Sequence, residues 1–172
     1  MPVEDAHTGG MRRVALLISV LALALPAGVL AAHASAGSLS VVDARGVIKI
    51  QGRGALLGRL DSGTLQIVDL SPADPWSPRV NGVPRGRVVG IRGRDVSFYV
   101  PGGRYRLVVR GEGIHISARG QGIATIAAEP DVTGAAGTYA VDDDEPAPLP
   151  DVVTRVAYGL DVSLLPVRLP GS

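Results

Sequence analysis

Apolar residues recur at every second position through the middle of the chain. They are Val96, Phe98, Val100, Tyr105, Leu107, Val109, Ile114 and Ile116. A period of two is typical of β-strands that bury one face. We therefore predict that these side chains form a core and that their polar neighbours face solvent.

Glycine-rich segments punctuate this alternation at residues 52–54, 61–63, 92–94, 101–103, 111–113 and 120–122. Because glycine accepts positive φ, each segment is expected to be a tight turn between short strands. Candidate strands in the first group are residues 47–51, 55–60 and 64–69. The pattern predicts an all-β fold, a small antiparallel β-sandwich or barrel-like meander.

An internal duplication is a further expectation. Residues 48–67 align without a gap with residues 107–126, and the alignment superimposes Gly52, Gly54, Gly63 and Ile67 on Gly111, Gly113, Gly122 and Ile126. This pattern favours a repeated three-strand unit. Three of the four identities are glycines, so chance similarity between glycine-punctuated strands is the alternative.

One hydrophobic helix is predicted before the β-domain. Arg12 and Arg13 precede an apolar run over residues 14–25, in which Ser19 is the only polar residue, and residues 32–36 offer two small-x-small cleavage sites. This is the layout of a secretory signal peptide, and it is normal only when counted from Met11, a second candidate start. Residues 14–32 could instead span a membrane as a retained anchor. Either alternative places the remainder of the chain outside the cytoplasm.

The predicted organisation has three parts. Residues 1–36 are the signal peptide or membrane anchor, residues 37–165 an extracytoplasmic β-domain, and residues 166–172 a C-terminal tail. The β-domain contains a proline-rich loop at residues 71–84, an acidic proline-rich loop at residues 142–151 and a final strand within residues 152–165.

Charge is divided between two parts of the chain. Residues 41–128 carry 13 Lys and Arg against 6 Asp and Glu, whereas residues 129–172 carry 2 against 8. A basic surface would attract an anionic envelope polymer, a lipid headgroup or an acidic protein. The alternatives are that the acidic loop neutralises the basic strands, or that the arginines keep strand edges soluble. The candidate binding residues are Arg92, Arg94, Arg104, Arg106 and Arg110.

Trp76, the only tryptophan, lies in the proline-rich loop. An exposed indole there could bind a sugar ring or a partner, but an interpretation in which it folds back over the core is favoured.

Catalytic and metal chemistry have few candidates. The chain has no cysteine, and His115 is the only histidine after residue 36. A zinc site, which usually needs several His or Cys ligands, is therefore not predicted, and neither is a cofactor. Export and the shortage of aromatic residues disfavour nucleic-acid binding. The acidic run at residues 142–145 lacks the spacing of a calcium loop and is interpreted as solvated.

The segment FYVPGGRYRLVVRGEGIHISARGQG, together with the apolar segment before it, resembles small uncharacterised exported β-rich proteins of actinobacteria. The resemblance covers about a third of the chain. It implies an envelope location and a β-fold, and it transfers no catalytic residue.

These observations favour a non-enzymatic binding or structural module of a bacterial cell envelope, either secreted or held at the membrane. Two alternatives remain open. One is an envelope hydrolase that uses His115 with a carboxylate or a serine. The other is a β-protein that assembles through its strand edges.

Overall fold

A computed structural model describes residues 36–71, 73–130 and 135–160. The predicted N-terminal helix and the C-terminal tail lie outside these residues. The described residues form antiparallel strands and no helix, which confirms the all-β prediction. The strands are β1 (Gly37–Asp69), β2 (Arg79–Val80), β3 (Val83–Pro84), β4 (Val88–Val100), β5 (Arg104–Ala128), β6 (Thr138–Val141), β7 (Ala147–Pro148) and β8 (Thr154–Tyr158).

The longest strand, β1, has 33 residues and winds around its main partner, β5. A straight strand of that length would extend for roughly 110 Å. Instead, Gly120 pairs with both Gly37 and Gly54, and Gly111 pairs with both Gly46 and Gly63. Residues 17 apart on β1 therefore flank the same residue of β5, so β1 completes one turn of a coil every 17 residues.

The coil divides the sheet into two sets of neighbouring strand segments, named layer A and layer B, and β1, β4 and β5 contribute segments to both. Layer A contains β6, residues 37–45 of β1, 112–120 of β5, 54–62 of β1, 94–100 of β4, and β2. Layer B contains β8, residues 121–128 of β5, 46–53 of β1, 104–111 of β5, 63–69 of β1, and 88–93 of β4.

The inward faces of the two layers form one hydrophobic core. All eight apolar residues that the alternation assigned to the core are at most 3% exposed, as predicted. Buried residues of both layers belong to this one cluster. The core is built mainly from Val, Ile and Leu, with Phe98, Tyr105 and Tyr158 as its large aromatic members.

Most of the predicted turns are bends inside continuous strands. Of the six glycine-rich segments, only residues 101–103 reverse the chain, between β4 and β5. Five glycines (Gly46, Gly54, Gly63, Gly111 and Gly120) share φ values from +128° to +158°. At such φ values the backbone stays extended but changes direction, so pairing continues while the strand passes from one layer to the other. The hairpin interpretation was therefore wrong at residues 52–54, 61–63, 92–94, 111–113 and 120–122, which all lie inside strands.

The gapless alignment does not superimpose glycines of equal conformation. It places Gly54, with φ of +128°, on Gly113, with φ of +60°. Gly54 matches Gly111 in conformation, and Gly63 matches Gly120, in both cases 57 residues further along the chain. Any structural repeat is therefore offset by two residues from the alignment.

The two proline-rich loops contain short strands. Residues 71–84 include the β2–β3 hairpin, where Asn81 and Gly82 both have positive φ, as a type I′ turn requires. Residues 142–151 include β7. The final predicted strand is present as β8, and its continuation over residues 161–165 lies outside the described residues.

Candidate anion-binding groove

A groove with a volume of about 830 Å³ lies on the outward face of layer B. Its floor crosses β1, β5 and β8, at the place where residues 46–53 of β1 lie between two segments of β5. The polar side chains that line it are Lys49, Gln51, Arg53, Arg104, Arg106, Gln121, Thr125 and Arg155.

Strand alternation explains why these side chains point outward. Ile48 and Ile50 are buried in the core, so Lys49 between them and Gln51 after Ile50 face solvent. The same holds for Arg106, between the buried Tyr105 and Leu107. In an antiparallel sheet, residues directly opposite each other share a face.

The pairing register assembles the groove from distant parts of the sequence. Arg53 lies opposite Arg104 and Gln121, and Gln51 lies opposite Arg106. Thr125 lies between Lys49 on one side and Arg155 on the other.

The groove is strongly positive. Among the described residues that line it, five are cationic (Lys49, Arg53, Arg104, Arg106 and Arg155), and none is acidic. None of these five cations forms an ion pair with a described acidic group; the ion pair present, between Arg45 and Glu112 at 2.9 Å, lies elsewhere. Like charges directly opposite in a sheet are destabilising. An anion bound between Arg53 and Arg104 would relieve this repulsion.

A buried tyrosine pair supports the groove floor from inside. The hydroxyl groups of Tyr105 and Tyr158 are 3.1 Å apart, and both side chains are fully buried. Gly52 and Gly122 lie above them, where a Cβ would collide with the Tyr158 hydroxyl. Burial raises the pKa of Tyr105, and the neighbouring Tyr158 raises it further; burial also raises the pKa of Tyr158. Both hydroxyls therefore stay protonated and hydrogen-bonded at neutral pH.

Strand β8, which carries Arg155, is attached at its end through Asp142. The Asp142 carboxylate accepts hydrogen bonds from the Ser38 backbone N–H at 2.8 Å and the Gly159 N–H at 3.3 Å. Asp142 has φ of +52°, a conformation that Asp tolerates better than most residues. This contact and the tyrosine pair hold β8 against the sheet and place Arg155 at the groove.

Four of the five predicted arginines lie on this outward face. Arg104 and Arg106 line the groove itself. Arg110 and Arg92 flank Thr64 on neighbouring segments, and all three are exposed, so the register places them further along the same face.

Arg94 lies apart from the groove, at a bend near Glu112. Glu112 accepts hydrogen bonds from the Ser62 hydroxyl and from Arg45, both at 2.9 Å. The Ser62 hydrogen bond, the charge of Arg45 and, more weakly, Arg94 lower the pKa of the Glu112 carboxyl. Arg94 is therefore part of a surface charge cluster that braces a strand bend.

Trp76 is also separate from the groove. Its indole is 56% exposed, and its backbone N–H donates to the Asp74 carboxylate at 3.2 Å. The favoured expectation, that Trp76 would fold back over the core, is not met.

Sequence reasoning missed Lys49, Arg53 and Arg155. Alternation places each of them outward, but nothing in the local sequence shows that they share a face with Arg104 and Arg106. That information lies in the β1–β5 and β5–β8 registers, which join residues up to about a hundred positions apart.

The other chemical candidates lie outside the groove. His115 belongs to layer A, where its Nε2 is 3.2 Å from the Arg59 guanidinium, and it is not among the described residues that line the groove. Within the described residues, no group of three or more His, Asp or Glu is arranged to hold a metal ion. The acidic loop does not pair with the groove cations among the described residues.

Comparisons with known proteins found no match to this chain. No protein-family model, curated protein or solved structure matches the chain. Over the described ranges, the structure contains no helix long and apolar enough to cross a membrane.

Proposed function

We propose that this chain is a non-enzymatic binding module that attaches to an anionic partner through the layer B groove. The observation that carries the proposal is the group of five cations that line one concavity without an acidic neighbour among the described residues. Structural arginines usually face carboxylates or are spread singly over a surface. A concentration of unpaired cations in a cleft raises the local potential and attracts anions.

The proposed setting is the outside of the cytoplasmic membrane, in the envelope of a bacterium. The support is the apolar segment at residues 14–32, preceded by Arg12 and Arg13 and followed by small-residue cleavage sites. Anionic polymers and lipid headgroups are abundant on that side of the membrane, and both fit a basic groove.

The test is the affinity of the full-length chain for long-chain polyphosphate at low salt, measured by titration calorimetry. We expect Arg104→Gln with Arg106→Gln to weaken binding by about 2- to 30-fold, since each exposed ion pair contributes about 0.2–1 kcal/mol. The control is Arg85→Gln with Arg119→Gln, which removes the same charge from exposed positions outside the groove.

Weaker binding by the groove variant alone would support the proposal. Equal affinities for the two double variants would show that attraction depends on net charge and not on the groove. A wild-type chain that does not bind polyphosphate, phosphatidylglycerol vesicles or polyglutamate would contradict the proposed function altogether.

A further inference from the structure

The cations of the groove are spread over a distance that one small anion does not cover. Lys49 and Arg53 are four residues apart on the same face of β1, which corresponds to roughly 13 Å between their Cα atoms. Arg155 lies two strands from Lys49, across Thr125, and two strand spacings correspond to about 10 Å. Charge-assisted hydrogen bonds form at donor–acceptor distances of about 2.7–2.9 Å, so a phosphate held between Arg53 and Arg104 leaves the more distant Lys49 and Arg155 for other phosphates.

Resting on the proposed function, we infer that the groove binds a linear polyanion, a flexible chain that carries phosphate groups at intervals. Such a chain can place one phosphate between Arg53 and Arg104 and others beside Lys49 and Arg155. Four of the five cations are arginines, whose planar groups bind phosphate oxygens in pairs.

Neutral hydrogen-bonding groups lie between the cations. Gln51 is between Lys49 and Arg53 on β1, Gln121 lies opposite Arg53, and Thr125 lies opposite Lys49. Amide and hydroxyl groups can hydrogen-bond to the ester oxygens that link phosphates in a polyol phosphate chain and to the free hydroxyls of the polyol. The groove therefore alternates charged and neutral contacts along the direction of β1.

The composition of the groove disfavours two other polyanions. No aromatic ring is among the described residues that line it, so nucleic-acid bases would have no surface for stacking. The groove also lies on the face of a sheet, where neighbouring strands already pair with β1 and β5. An acidic peptide could not add there as a strand, which is the usual source of affinity for an extended peptide on a sheet.

The experiment compares inorganic phosphate, tripolyphosphate and long-chain polyphosphate, at equal phosphate concentration, against the full-length chain. Once one phosphate of a polymer is bound, its neighbours meet the remaining cations at a high effective concentration. We therefore expect affinity per phosphate to rise by more than about 100-fold from tripolyphosphate to the long chain. Each phosphate contact to a single-stranded nucleic acid contributes about −0.7 to the slope of log affinity against log salt concentration. Five such contacts predict a slope of about −3.5.

A variant that removes the far cations isolates the length effect. Lys49→Gln with Arg155→Gln should reduce the salt slope by about 1.4 and abolish most of the gain from chain length. Tripolyphosphate, which is held at Arg53 and Arg104, should bind this variant almost as well as it binds the wild type. The control Arg85→Gln with Arg119→Gln should retain the full gain.

The outcomes separate this inference from the proposed function. Equal affinity per phosphate for phosphate and for the long chain would overturn the polymer inference and leave an anion-binding groove. Tighter binding to polyglutamate would assign an acidic protein, and tighter binding to phosphatidylglycerol vesicles would assign a lipid surface; either result would overturn the linear phosphate polymer. Failure of every anionic probe would overturn the groove function itself.

Discussion

At the scale of single residues, five glycines decide the path of the chain. Gly54 and Gly120 pair with each other at one bend, and Gly63 pairs with Gly111 at another. A Cβ on Gly120 would collide with the carbonyl oxygen of Arg53, and a Cβ on Gly54 with that of Arg119. With φ between +128° and +143°, Gly54, Gly63 and Gly120 also occupy a backbone region that other residues avoid. Glycine is needed at these positions for two reasons: a Cβ would collide with the paired strand, and the backbone has a positive φ.

We therefore expect Gly120→Ala to destabilise the domain by about 3 kcal/mol or more, because it combines backbone strain with a steric clash against a paired strand. The matched control is Gly90→Ala in β4, where nothing lies within 4 Å of the added Cβ and φ is not positive. That change should alter stability by less than about 1 kcal/mol. The measurement is urea unfolding of both variants followed by circular dichroism. Similar small effects for the two variants would contradict the assigned bend geometry.

At the scale of elements, β8 is attached to the rest of the sheet by few contacts. It has five residues and pairs with β5 alone among the described strands. Its most buried side chain is Tyr158, whose hydroxyl meets that of Tyr105 under the groove floor. The tyrosine pair therefore positions Arg155, although neither tyrosine faces the groove.

Removing one hydroxyl of this pair should cost more than removing both. Tyr158→Phe leaves the Tyr105 hydroxyl buried without its partner, and an unsatisfied buried hydroxyl costs about 1–3 kcal/mol. The double variant Tyr105→Phe with Tyr158→Phe removes the unsatisfied group and should recover part of that loss. A double-mutant cycle by chemical denaturation measures the coupling. Additive losses would show that the two hydroxyls do not interact.

The same pair makes stability depend on alkaline pH. Both tyrosines have pKa values above the ordinary value of 10.0 when folded, so the folded chain retains protons that the unfolded chain releases. Stability is therefore fully present below pH 10 and falls above it, by up to about 1.4 kcal/mol per pH unit for each tyrosine. The double phenylalanine variant should lack this fall. An equally steep decline in that variant would assign the effect to other groups.

At the scale of the whole molecule, the near-neutral net charge of +1 conceals a basic body and an acidic C-terminal part. The acidic loop reaches the start of β1 through Asp142, which is a structural ligand of two backbone N–H groups. Its described carboxylates do not pair with the groove cations.

The export proposal predicts where the whole chain is found and how it begins. Mass spectrometry of the native protein from fractionated cells should detect it outside the cytoplasm. A released species that begins near Ser35 or Gly37 would identify a cleaved signal peptide, and an intact N-terminus in the membrane fraction would identify an anchor. A cytosolic chain that begins at Met1 or Pro2 would contradict export.

Part of the candidate groove was predictable from sequence. Alternation around Tyr105 and Leu107 placed Arg104 and Arg106 outward, and both line the groove. Arg94 pairs with Ser62 in layer A and lies near Glu112, apart from the groove. Lys49 and Arg155 were not predicted because their proximity depends on long-range pairing, and local periodicity carries no information on which strands are neighbours.

The sequence by itself determined the strand class and the inward-facing residues between Val96 and Ile116, because burial with a period of two is a local property of the backbone. It also determined where the chain can bend, since glycine alone accepts the required φ. Only the tertiary structure decided that β1 continues through those bends, winds around β5 every 17 residues and brings Lys49, Arg53, Arg104, Arg106 and Arg155 into one groove. The physical reason is that a glycine permits both a reversal and a bend, and the choice between them depends on hydrogen bonds and side-chain packing between strands distant in sequence.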